Sequence, residues 1–138
     1  MNKISAKAIF RGAIGLAIAI ALGAIAAHEL KKRLPEYNLG IFETAVKYQF
    51  YGCIGLILLG ILFHIYPLKL KGPIMLLRFG ILIFSGTLYF LALRPILGVE
   101  GFNWVGAITP IGGLSMIAAW IWTGVLYVKI DTNANTLN

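Results

Sequence analysis

Acidic residues are scarce in this chain, five against twelve lysines and arginines, and the single aspartate, Asp131, falls in the polar tail. Cysteine occurs once, at Cys53, and histidine twice, at His28 and His64. One cysteine excludes an internal disulfide. Its place in an apolar run makes a thiolate unfavourable, so it reads as a small packing residue. No His/Cys set has metal-ligand spacing, no serine has a neighbouring base, and no glycine loop opens a helix to hold phosphate. These absences argue against an enzyme, and they leave no metal and no cofactor to name. Charge of either sign is also sparse, at 12% of residues where a soluble domain carries roughly 25%.

What is present is apolar surface. Hydrophobic residues make up 59% of the 138, and mean hydropathy is +0.86. A single soluble domain of this length has no interior large enough to hide them, so the solvent must be lipid. The net charge of +7 does not point to nucleic acid. The basic residues cluster at the ends of apolar segments, where membrane lipid headgroups lie, and form no stripe or nucleic-acid module.

Four apolar segments stand out, at about 8–27, 40–66, 74–93 and 104–128, before a tail at 129–138. Lys3, Lys7 and Arg11 followed by Ala24-Ile25-Ala26 resemble a signal peptide, but the apolar run is too long for one and reads as a spanning helix. Its glycines and alanines allow close backbone approach, which suggests an interior helix and a surface for a protein partner or a second copy. The second segment starts behind Asn38 as N-cap and at 27 residues spans roughly 40 Å, more than the hydrocarbon layer of ~30 Å. Pro67 and Arg94-Pro95 are expected to end helices two and three. Thr109-Pro110 and Gly112-Gly113 are expected to interrupt helix four, as a packing kink or a gate.

Short connections make sequential helices antiparallel neighbours, which predicts an all-α integral membrane protein, an up-down-up-down bundle in one domain. Lys3, Lys7, Arg11, Lys69, Lys71, Arg78 and Lys129 then share one side. Lys31, Lys32, Arg33, Lys47 and Arg94 share the other. Seven against five favours both termini in the cytoplasm.

Several stretches resemble a known family. Gly23-Ala24-Ile25-Ala26-Ala27-His28-Glu29-Leu30-Lys31 looks like its Gly-Ala-Phe-Gly-Ala-His-Gly-Leu-Lys signature. The run from Phe42 to Tyr51, FETAVKYQFY, matches its central motif almost letter for letter, and Phe84 to Tyr89 and Gly106 to Gly113 match two later ones. The family is the small inner-membrane proteins of domain of unknown function 423, and the likeness covers about residues 12–126. It implies four spanning helices in an inner membrane and brings no reaction with it. Two positions depart: Gly52 where the family usually has His, and Glu29 where it usually has a small residue.

Two groups of polar residues invite a functional reading. His28, Glu29, Glu43, Lys47, Gln49, Arg94 and Asn103 all belong to the side of loops one and three, where they form either one polar vestibule or a solvated rim. Glu43 and Lys47 stand at i, i+4 in the order that favours a helical ion pair. On the other side Arg78, Lys69 and Lys71 are suited to anchoring headgroups, Arg78 by snorkelling back to the interface. His28 and His64 lie about a bilayer apart, so no haem bridges them within one chain. Trp104, Trp120, Trp122, Tyr48, Tyr51 and Tyr127 suggest interfacial belts. Three function classes follow: an accessory or assembly subunit of a membrane complex, an oligomeric channel or transporter for an ion or small molecule, and a lipid or quinone binder.

Overall fold

The computed structural model describes residues 3–66, 69–102 and 104–135, with side chains to residue 129. It contains four long helices: α1 (Lys3–His28), α2 (Glu36–Ile65), α3 (Lys71–Leu97) and α4 (Val105–Asn135). All four are long and apolar enough to cross a membrane. The predicted class is therefore the observed one, with no strand among the described residues.

Each helix extends past at least one end of the segment expected for it, and at α3 the prolines show why. Pro73 lies in the first turn of α3, where no backbone donor is needed, so the helix begins at Lys71. Pro95 does not end α3, which continues to Leu97 and closes on Gly98 in the left-handed region, φ 63°. The missing N–H of Pro95 deprives the Leu91 carbonyl of its helical donor, and Asn38 Nδ2 donates to it at 3.5 Å and to Ala92 O at 3.4 Å. Asn38 is thus not an N-cap. Pro35 holds that position, and Asn38 links the start of α2 to the end of α3. α2 ends at Ile65, and Pro67, expected to stop it, lies outside the described residues, as does Asn103.

α1 packs chiefly on α2, α2 on α3 and α3 on α4. The α1–α2 and α3–α4 crossings use the same device. At the first, a Cβ on Gly12 would lie 2.7 Å from the Cys53 carbonyl oxygen, and Ser5 Oγ donates to Gly60 O at 2.5 Å. At the second, a Cβ on Gly112 would lie 2.5 Å from the Phe84 nitrogen, and Ser115 Oγ donates to Leu76 O at 2.8 Å. Small residues let the backbones touch and hydroxyls join them, which is how helices associate without a hydrophobic drive. Gly112 is therefore a crossing point and not a break, and α4 runs through Thr109-Pro110 as one helix. A Cβ at Gly52 would run into Ile81, so this packing has no room for a histidine there.

The sequence suggests an interior first helix, but α1 has only one covered face. Phe10, Ile14, Ile18, Ile20 and Ile25 are exposed around the rest of it. The core comprises two clusters, one around Leu56, Leu59, Leu70, Leu77 and Ala119, the other around Ala26, Leu30, Leu34, Phe42 and Ala92. Leu30 and Leu34 bring the first connection, with its 3-10 turn at Leu30–Lys32, into that second cluster. The aromatic belt is only partial: Tyr48 and Tyr51 sit near the middle of α2, and Trp120 packs where Gly55 leaves space.

Candidate functional site

α1 and α3 flank α2 without closing over it, and the gap between them is a groove. Its deeper part, about 500 Å³, is lined by Arg11, Gly15 and Ile18 from α1, by Gln49, Cys53 and Leu56 from α2, and by Arg78, Ile81, Leu82, Ser85, Gly86 and Tyr89 from α3. A second part, about 210 Å³, continues toward the N-termini of α1 and α3 past Lys7, Ala8, Lys71 and Met75. Arg11, Leu56 and Arg78 line both, so the two form one trough.

Helical spacing builds the walls. Arg11, Gly15 and Ile18 recur at i, i+4 and i+7 on α1. Arg78, Leu82, Ser85 and Tyr89 do so at i, i+4, i+7 and i+11 on α3. The antiparallel topology puts the starts of α1 and α3 at the same end, so Lys7, Arg11, Lys71 and Arg78 meet at one mouth. Both arginines lie about 10–12 Å along their helices at 1.5 Å per residue, a depth from which their heads reach the headgroup layer.

The far end of the groove is polar. Gln49 sits near the middle of α2, roughly 20 Å from the helix start, and is buried. Its Nε2 donates to Gly15 O at 2.8 Å, and Tyr89 Oη donates to its Oε1 at 2.9 Å, tying three helices together. Ser85, 2% exposed, lines the same groove, and its Oγ has no hydrogen-bond partner among the described residues. A buried hydroxyl without a partner costs free energy, and a polar group entering the groove would satisfy it. Thr87 and Thr109 instead pair with each other, Oγ1 to Oγ1 at 2.7 Å, where α3 crosses the first turns of α4. Pro110 is exposed beside that pair and lines none of the groove.

The expected vestibule is not drawn together. Gln49 lies near the middle of α2 and lines the groove, away from loops one and three. His28, Glu43 and Lys47 are exposed, and Glu43 and Lys47 face a different cavity beside Gly23, Ala26 and Phe50. Arg94 is half-buried and lines a third, with Asn38 and Glu100. Glu29 pairs with Lys32 and Arg33 at 3.7 Å, and all three are exposed. Glu43 and Lys47 form no ion pair with each other. Of the expected headgroup anchors, Lys71 and Arg78 line the groove mouth. Lys69 is exposed just before α3 and does not. Arg11, Lys7, Ser85 and Tyr89 are the members that sequence reasoning left out, although the i, i+4, i+7 pattern carries them. No group of three or more metal-ligating side chains occurs among the described residues.

The fold and the lipid-length helices define a multi-pass membrane protein. Residues 22–113 match the family described as "Protein of unknown function (DUF423)", and this chain belongs to it. Among its relatives, the UPF0382 membrane protein SSP2132 of Staphylococcus saprophyticus is 39% identical over 122 residues, 88% of this chain and 97% of the relative. The UPF0382 membrane protein YwdK of Bacillus subtilis is 36% identical over 121 residues, 88% and 95% of the two. A UPF0382 membrane protein of Staphylococcus epidermidis is 38% identical over 113 residues, 82% of this chain and 88% of the relative. No solved structure matches the chain.

Proposed function

We propose that this protein binds an anionic amphiphile from the surrounding membrane, with the headgroup at the cationic mouth and one hydrocarbon chain along the α1–α3 groove. The single observation that carries this is the convergence of Lys7, Arg11, Lys71 and Arg78 on the end of an apolar trough. Four cations against one mouth favour phosphate or carboxylate, and arginine's planar fork suits either. The deeper part of about 500 Å³ matches one chain of about sixteen methylenes, taking ~30 Å³ for each, close to a liquid water's share. The trough is open toward lipid, so a second chain remains in the bilayer. In this reading both termini are cytoplasmic in a plasma (inner) membrane, because the mouth and the larger share of basic residues lie on the same side. Binding of this kind needs no catalysis.

A titration tests the reading directly. Purified protein stripped of lipid is titrated with phosphatidylglycerol or phosphatidylcholine and weighed by native mass spectrometry. Retention of the anionic lipid at least about tenfold above the zwitterionic one, or about 1.4 kcal/mol, is expected. Equal retention would sink the reading. A second reading, an accessory or assembly subunit, draws on the outward face of α2, where Glu43 and Lys47 stand in the apolar span. Lys47 lies about 5 Å from the centre of α2, where an uncovered charge in lipid costs up to about 2.5–3.5 kcal/mol on insertion scales, so a covering polypeptide would relieve it.

A further inference from the structure

The outward face of α2 is the surface least suited to bare lipid. Glu43, Lys47 and Tyr51 stand one turn apart on it, followed by Ile54 and Leu58, and all are exposed. By the helical rise Glu43 lies about 10 Å and Lys47 about 16 Å from the start of α2. α2, 30 residues or about 45 Å long, exceeds the ~30 Å hydrocarbon layer by about 7 Å at each end, so Lys47 falls about 9 Å inside it and Glu43 about 3 Å. No described residue pairs with either side chain, since Glu29 holds both ion pairs among the described residues. Beside them, between α1 and α2, lies an open cavity of about 380 Å³ bordered by Gly23, Ala26, Val46 and Phe50.

We propose that this face joins two copies of the chain in a parallel two-fold dimer, in which Glu43 of each copy pairs with Lys47 of the other. Copies inserted with one topology share an orientation, so a two-fold axis along the membrane normal brings identical faces together. Glu43 and Lys47 are offset by one turn, about 6 Å, a separation that such side chains bridge within a single helix. One acid and one base per copy give two reciprocal pairs with no charge left over. A foreign partner would have to supply a matched acid and base at the same depths, whereas a second copy carries them already. The interface is distinct from the α1–α3 groove, which lies on the opposite side of α2, and stands or falls independently of it.

A charge exchange between two tagged copies tests the proposal. Glu43→Lys leaves two cations on the face and Lys47→Glu leaves two anions. Each variant expressed alone is expected to lose at least about nine-tenths of the dimer seen by native mass spectrometry of the wild type. Co-expressed, the two are expected to pair with each other and recover most of it, and the double exchange Glu43→Lys with Lys47→Glu is expected to dimerise with itself. Helix content by circular dichroism identifies any variant that has failed to fold, and the self-pairing double exchange then decides. A monomeric wild type, a dimer indifferent to both single exchanges, or folded variants that do not recover on co-expression would overturn it. So would a foreign polypeptide in stoichiometric amount in place of the second copy.

Discussion

The two ends of this molecule carry similar numbers of cations and do different things with them. At the end where α1 and α3 begin, Lys7, Arg11, Lys71 and Arg78 project toward one trough. At the other end Lys31, Lys32 and Arg33 ring a loop, Lys47 faces away from the core, and Arg94 lines a separate surface cavity. The difference comes from helix rotation. The charged positions on α1 and α3 share a stripe with the groove lining, whereas Glu43 and Lys47 lie on the opposite face of α2 from Gln49, Cys53 and Leu56. Charge concentrates where two stripes turn toward each other and disperses where they do not.

The largest expected effect removes the frame that holds the stripes in register. Gly112→Leu places side-chain atoms against the Phe84 backbone, which cannot yield as a flexible side chain would. Overpacking of this kind costs about 3 kcal/mol. A thermal melt should show a collapse of several degrees or more, whereas Gly124→Leu, where a Cβ meets nothing within 4 Å, should melt as the wild type does. An unchanged melt for Gly112→Leu would mean that the α3–α4 crossing is looser than described.

Gln49→Leu is a smaller change. It leaves the Gly15 carbonyl and the Tyr89 hydroxyl without their partners at mid-membrane. Interhelical hydrogen bonds in membranes are worth about 0.6 kcal/mol on average and ~1.7 at most, so the loss should be about 1 kcal/mol in a denaturation titration. Ser85→Ala sharpens the contrast in the opposite sense. Its hydroxyl has no partner among the described residues, so stability should stay within about 0.5 kcal/mol. Retention of phosphatidylglycerol should fall by about twofold if a polar part of the occupant reaches the hydroxyl. The smallest effect is expected at the dispersed end: His28→Ala should change neither stability nor lipid retention measurably.

Much of this was legible in the sequence, and the rest failed for identifiable reasons. Segment lengths and loop positions gave the four helices and their alternation, because hydrocarbon thickness and short connections permit little else. Helix ends were misjudged where a proline is harmless or rescued: Pro73 sits in a first turn, and Asn38 answers the carbonyl that Pro95 strands. The groove is not legible from the loops, because loops tell which side of the membrane a residue occupies but not which way it faces around its helix. Gln49 reads from its side of the loops as part of a vestibule or rim, although its spacing to Cys53 and Leu56 places it on the buried stripe. Arg11 enters the sequence reading only through the charge balance of the two sides, although Gly15 and Ile18 follow it on the same face.

The most direct test removes two cations from each end in turn. Arg11→Ala with Arg78→Ala and Lys47→Ala with Arg94→Ala lower the net charge equally, so bulk attraction to anionic lipid changes by the same amount. Phosphatidylglycerol retained per protomer is then read by native mass spectrometry. Convergent binding predicts about a tenfold loss for the first pair and less than about twofold for the second. Equal losses for both pairs would contradict it, because the lipid would then be following net charge and not the groove.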